Sequence, residues 1–199
     1  MSVKNYTSKD RVEALMLTTI KTSWQDNFNI FSEWVENYID TYTGRNFLAD
    51  SVASERVYDG NGKRSFLIDD CVDVTSITIT DSTGAETILL PGTQAYLYPA
   101  NITPKTRVEI DNDLTACFYR GQQNISVLAK WGYSVAVPKE IEFAATVILT
   151  GIINYAYEHN SEVESEGIGE YNVTYNRKED WVKYERAMQI LDKYKKISF

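Results

Sequence analysis

The segment PKEIEFAATVILTGIINYAYE, residues 138–158, constrains this chain more than any other. Its periodicity predicts a helix from Pro138 to about Glu158 with almost no polar side. Ile141, Ala144, Ala145, Ile148, Ile152 and Tyr155 fall on one face. Phe143, Val147 and Ile153 fill most of the rest. A helix that is apolar nearly all round has to be covered on several sides, by its own domain or in part by another subunit. Ala144, Ala145 and Gly151 are small enough to admit a neighbouring backbone. Pro138 suits the first helical position, where no donor is needed, and Glu140 suits the positive end of the dipole.

Two segments offer helices to cover it. In SWQDNFNIFSEWVENYIDTYTGRNF the residues Trp24, Phe28, Phe31, Val35, Tyr38 and Tyr42 recur at steps of four and three. Asp26 is the expected N-cap and Gly44 the stop. Upstream, Thr7 or Ser8 caps a shorter helix carrying Val12, Leu15 and Ile20, which completes a helical hairpin. At the other end, Trp181, Tyr184, Met188 and Leu191 fall at a/d spacing in EDWVKYERAMQILDKYKK, with lysines near the C-terminus. Between the long helix and this one lies NSEVESEGIGE, where Glu162, Glu164 and Glu166 sit beside glycines. Such a composition buries too little to order itself, so residues 161–169 are expected to be mobile in a free subunit.

From about Ser54 to Tyr133 the period changes to two. RVYDGNGKRSFLIDD reads as a hairpin across Asp59, Gly60, Asn61 and Gly62. VTSITITD alternates, with Val74, Ser76 and Thr78 on one side and Thr75, Ile77 and Ile79 on the other. ETILLPG, RVEID and NISVLAKWGY follow, with turn residues between them. The expected class is α+β: helices over 1–53, a small antiparallel β insertion over 54–133, and the long helix, acidic loop and terminal helix over 134–199. Together they make one domain of 199 residues.

Chemistry is hard to place on this chain. There is no nucleophile elbow, phosphate loop or zincin motif, and the G-x-G of GIGEY follows an acidic loop instead of a strand. His159 reads as a favourable charge at a helix end. Asp69-Asp70 and Asp111/Asp113 read as turns, because the glycine and glutamate that complete a calcium loop are missing after Asp111. Cys71 and Cys117 read as free thiols without metal partners. No enzyme activity, cofactor or metal is therefore expected. The net charge of −8, from 28 acidic and 20 basic residues, disfavours a stable grip on nucleic acid. No stretch is long and apolar enough for a membrane span, and the N-terminus reads as that of a cytoplasmic chain.

Taken in order, these pieces resemble the tailed-bacteriophage head-tail connector, or adaptor, proteins. The resemblance rests on a helix from SWQDNF to YIDTYTGRNF, on YDGNGKRSFLIDD leading into VTSITI, on GYSVAVPKEIEFAATVIL opening a long helix, and on SEGIGEYNVTY before a terminal amphipathic helix. It implies a helical bundle of connector type and a non-enzymatic virion protein, made in the host cytoplasm. It further implies a dodecameric ring at the head-tail junction that docks on the portal, receives the next head-completion or tail protein, and lets DNA pass without sequence-specific binding. On that reading Gly167, Gly169, Tyr171, Trp181, Tyr184, Met188 and Leu191 are the candidate subunit or portal interface. The β-rich insertion departs from the small members of that family. A rival reading makes the β part a carbohydrate- or protein-binding module, with Trp131, Tyr96, Tyr98 and Tyr119 as an aromatic site.

Overall fold

A computed structural model describes residues 4–160 and 177–196, with side chains over 4–156 and 183–196. The chain is α+β, and its contacts divide it into two compact units. The first, here the helical unit, is Met1–Gly44 together with Val137–Phe199; the second, the β unit, is Arg45–Ala136.

The helical unit holds α1 (Lys9–Met16), α2 (Gln25–Thr43), α3 (Lys139–Asn160) and α4 (Arg177–Tyr194). The apolar helix α3 packs against each of the other three. Its buried residues are Ile141, Ala144, Ala145 and the unbroken run Thr146–Thr150, followed by Ile153. Tyr155, expected on the covered face, is instead 64% exposed: it shares that face with the buried Ile141, Ala144 and Ile148 but lies beyond them along the helix, where the cover has ended. Pro138 lies one position earlier than expected: its carbonyl accepts the Glu142 N–H at 2.9 Å, which makes it the N-cap.

Helix α2 follows Trp24, so Asp26 sits in the first turn instead of capping it, and Gly44 ends the helix at φ +68°. Its buried stripe is Phe28, Ser32, Val35, Glu36, Ile39 and Thr43. Burial of Glu36 has a local cause. Its carboxylate accepts the backbone N–H of Lys4 at 2.8 Å and of Tyr6 at 3.1 Å, while Asp40 takes the Lys4 ammonium and the Tyr6 hydroxyl. Two acids on successive turns of α2 thus fix the segment before α1. Helix α1 ends at Met16, so Ile20 lies outside it, although it is buried as expected of an apolar residue.

The β unit is one six-stranded sheet, all pairs antiparallel: β1 (Ser54–Gly60), β2 (Ser65–Thr80), β3 (Glu86–Leu89), β4 (Ala95–Tyr98), β5 (Lys105–Ile110) and β6 (Gly121–Trp131). The order is β1-β6-β2-β5-β4, with β3 on β2. The expected hairpin across Gly60 and Gly62 is therefore absent. β6 lies between β1 and β2, pairing Tyr58 with Ile125 on one edge and Ile79 with Ile125 on the other. Turn residues mark a reversal of the chain but not the partner of the strand that follows.

Strand β2 changes neighbours along its length. Its first part pairs β5, and its second pairs β6 and β3. Register shifts between Cys71 and Asp73 and between Val74 and Ser76 break strict alternation, so Val74, Ile77 and Ile79 are all buried. Asp69 and Asp70 lie inside this strand, not in a turn, and face opposite ways. Asp69 meets Arg56 at 2.9 Å at the surface. Asp70 is buried and takes Arg45 at 2.6 Å. Asp111 does form the expected turn, accepting the Asp113 N–H at 2.9 Å.

Phe66, Ile68, Ile77, Leu89, Val108, Phe118, Ile125, Val127 and Trp131 form the core of the β unit. Cys71 is enclosed within it, and burial pushes its thiol up to about 12. Cys117 is half-buried. Alkylation of the folded protein near pH 8 should label Cys117 alone, with the second thiol reacting only after denaturation. Equal labelling rates in the native state, read by mass spectrometry, would contradict this packing.

Candidate functional site

Among the described residues no cluster of His, Cys, Asp or Glu could hold a metal ion, and no helix is long and apolar enough to cross a membrane. The surfaces with something to explain are two faces of the helical unit.

One is the outer side of α2. Ile30 is 62% and Trp34 55% exposed. At 3.6 residues per turn they lie roughly opposite the buried Phe28, Val35 and Ile39. The expected stripe Trp24–Phe28–Phe31–Val35–Tyr38–Tyr42 is thus split: Phe28 and Val35 are buried, while Trp24, Phe31, Tyr38 and Tyr42 are half-buried. Trp34, Tyr38 and Tyr42 stack in a ladder, with ring centroids 5.6 and 5.9 Å apart. The two tyrosines turn their hydroxyls to α4, Tyr38 towards the Met188 sulfur at 3.8 Å and Tyr42 to Asp192 at 2.5 Å. Trp34 is the end of the ladder left in solvent.

The other face is a groove of about 220 Å³ lined by Leu15 of α1, by Val147, Thr150, Gly151, Asn154 and Tyr155 of α3, and by Lys183 and Tyr184 of α4. It exists because α3 carries a glycine in mid-helix at a point where an added Cβ would meet nothing within 4 Å. On one side of this gap Thr150 is only 7% exposed, and its hydroxyl makes no hydrogen bond among the described residues. The previous turn behaves differently: Thr146 donates to the Glu142 carbonyl at 2.7 Å. Glycine in an open helix interior costs about 0.5–1 kcal/mol relative to alanine. Gly151→Ala should accordingly raise the stability of the isolated subunit by about that amount in chemical denaturation. A loss of stability would mean that the site is filled.

No known family and no curated protein matches the sequence. Among solved structures the chain is similar to a chain of the "Neck of empty GTA particle computed with C6 symmetry", the neck of a phage-like gene transfer agent. The TM-score is 0.54 at 12% identity, over 100% of this chain and 94% of the other. The fold is shared with a protein of a particle neck.

Of the candidate interface residues, Tyr184 is exposed and borders the groove, Met188 is half-buried beside Tyr38, and Leu191 is fully buried. With Ala187 also fully enclosed, this end of α4 serves the packing of its own unit. Gly167, Gly169, Tyr171, Glu162, Glu164 and Glu166 lie outside the described residues, as do the side chains of Trp181 and His159. In the β unit the four residues of the rival aromatic site are not all at the surface: Trp131 is in the core and Tyr98 is half-buried with Arg107 over its ring, while Tyr96 and Tyr119 are exposed. The residues that sequence reasoning passed over are Ile30 and Trp34. Their i, i+4 spacing next to an apolar stripe was the available signal.

Proposed function

We propose that this protein is a structural component of a phage-like virion neck. It forms a ring at the head-tail junction that sits on the portal, passes DNA through its centre and receives the next head-completion or tail protein. The observation that carries the reading is the full-length fold likeness to a chain of a particle neck whose reconstruction used C6 symmetry. Two further features agree with it. A net charge of −8 suits a conduit that must not hold the polyanion it transmits. A helical unit with an exposed apolar projection and a separate groove suits heterologous head-to-tail contacts, which form rings when the rotation closes.

Mass measurement of the full chain in solution, alone and with a portal protein from the same particle, tests the reading. A closed ring, or a stoichiometric portal complex, is the expected result. A chain that stays monomeric at high concentration and ignores the portal would sink it.

A further inference from the structure

The two faces of the helical unit differ in kind, one an apolar projection and the other a recess of mixed polarity. We propose that they are partners: Ile30 and Trp34 on α2 of one copy seat in the groove at Gly151 of the next. The inference rests on the ring-forming reading above and names the contact that would build the ring.

Four observations meet here. At about 220 Å³ the groove is smaller than the roughly 300–1,000 Å³ of small-molecule sites, so it suits one large side chain better than a free ligand. The glycine at its floor lets a foreign ring approach the α3 backbone, which accounts for a residue that weakens its own helix. Among the described residues the buried Thr150 hydroxyl has no hydrogen-bond partner and the exposed Trp34 indole N–H donates to none, so the indole can supply the bond that the hydroxyl lacks. The charges also match. On its solvent side helix α2 carries Asp26 and Glu33 and no lysine or arginine, whereas the groove is edged by Lys183.

A tryptophan in a desolvated pocket is the kind of residue that dominates a protein interface. Because projection and recess are separate sites, each copy can give to one neighbour and receive from another, and engaged in that way the contact continues around a ring; a reciprocal pair would stop at two copies, which the measured mass distinguishes.

The test uses the full chain and measures association by native mass spectrometry and light scattering. Trp34→Ala should weaken association about 30-fold or more, the usual loss on truncating an interface anchor. Thr150→Val should weaken it while leaving the melting temperature of the subunit unchanged or higher, because it removes an unpartnered buried hydroxyl. Gly151→Leu should block it by filling the recess. If Gly151→Leu also perturbs the circular dichroism, cross-linking decides the matter. In a Cys117→Ser background, copies carrying Asn37→Cys, one turn from Trp34, are mixed with copies carrying Asn154→Cys on the groove wall, so that Trp34 and Gly151 stay intact, and treated with a short bis-maleimide. The expected product joins position 37 of one copy to position 154 of another.

Rings that form normally in Trp34→Ala and Thr150→Val, without that cross-link, would overturn the proposed contact and leave the ring reading standing. A wild-type chain that never associates would overturn both.

Discussion

Trp131→Ala is expected to lower the stability of the β unit by about 3–5 kcal/mol, the usual range for removing a large aromatic from a core. Trp131 is 1% exposed at the end of β6, so the substitution leaves a cavity and not a new surface. Its indole N–H donates to the Ser54 carbonyl at 2.9 Å, which ties the first residue of β1 to the last of β6. The ring also has Arg56 over its face at 4.5 Å and Tyr58 at 6.2 Å, so both β1 residues lose their support. For a unit of this size the loss corresponds to a fall in Tm on the order of 20 °C. Trp131→Phe should recover part of it, keeping apolar volume but not the hydrogen bond. A Trp131→Ala protein within about 1 kcal/mol of wild type would show that the ring is not enclosed as described.

That residue also illustrates how far the sequence could be read. Trp131 lies in a run, NISVLAKW, whose alternation correctly marks a strand, and alternation puts it on the side of Ile125, Val127 and Ala129, all buried. An aromatic in that register belongs to a core, so a surface site including it was already disfavoured by period alone. The helices were legible for the same reason: the stripe of α2 and the all-round apolarity of α3 are local patterns, and contacts three and four residues apart write them into the chain.

What was not legible is non-local. Nothing in the segment that includes Asp59 and Gly60 says that β6, some sixty residues on, inserts between β1 and β2. Nor does the alternation of β2 announce its register shifts, which bring Val74 and Ile77 to the same side. The groove was half legible. Gly151 stood out as a point of close approach, but only the packing of α1 and α4 beside α3 shows that its neighbourhood is open and that Thr150 lacks a partner. Asp69-Asp70 fell to the same limitation. Two adjacent acids read as a turn unless Arg45 and Arg56 are known to lie on either side of the strand.

Arg45→Ala tests the more consequential of those two pairs. Asp70 is 7% exposed, and among the described residues Arg45 supplies the one hydrogen bond that its carboxylate accepts, at 2.6 Å; the other oxygen, Oδ1, has no partner. The Arg45 guanidinium in turn lies 5.5 Å from the centre of the Tyr133 ring, which packs on Phe47. Truncating the arginine leaves a buried, uncompensated charge, and such losses cost about 3–5 kcal/mol. The backbone around it can absorb little of this. Gly132 donates its N–H to the Asp70 carbonyl at 2.8 Å, adopts φ +137°, and has no space for a Cβ, which would come within 2.5 Å of the Ala49 Cα. The backbone that carries the carboxylate is therefore held in place. The double variant Arg45→Met, Asp70→Leu removes both charges and keeps apolar volume, so it should regain most of the lost stability. Denaturant unfolding of the single and double variants measures the coupling directly. If Arg45→Ala unfolds at the wild-type midpoint, or if the double variant is no more stable than the single one, the pair is not a buried, mutually compensating one and the account fails.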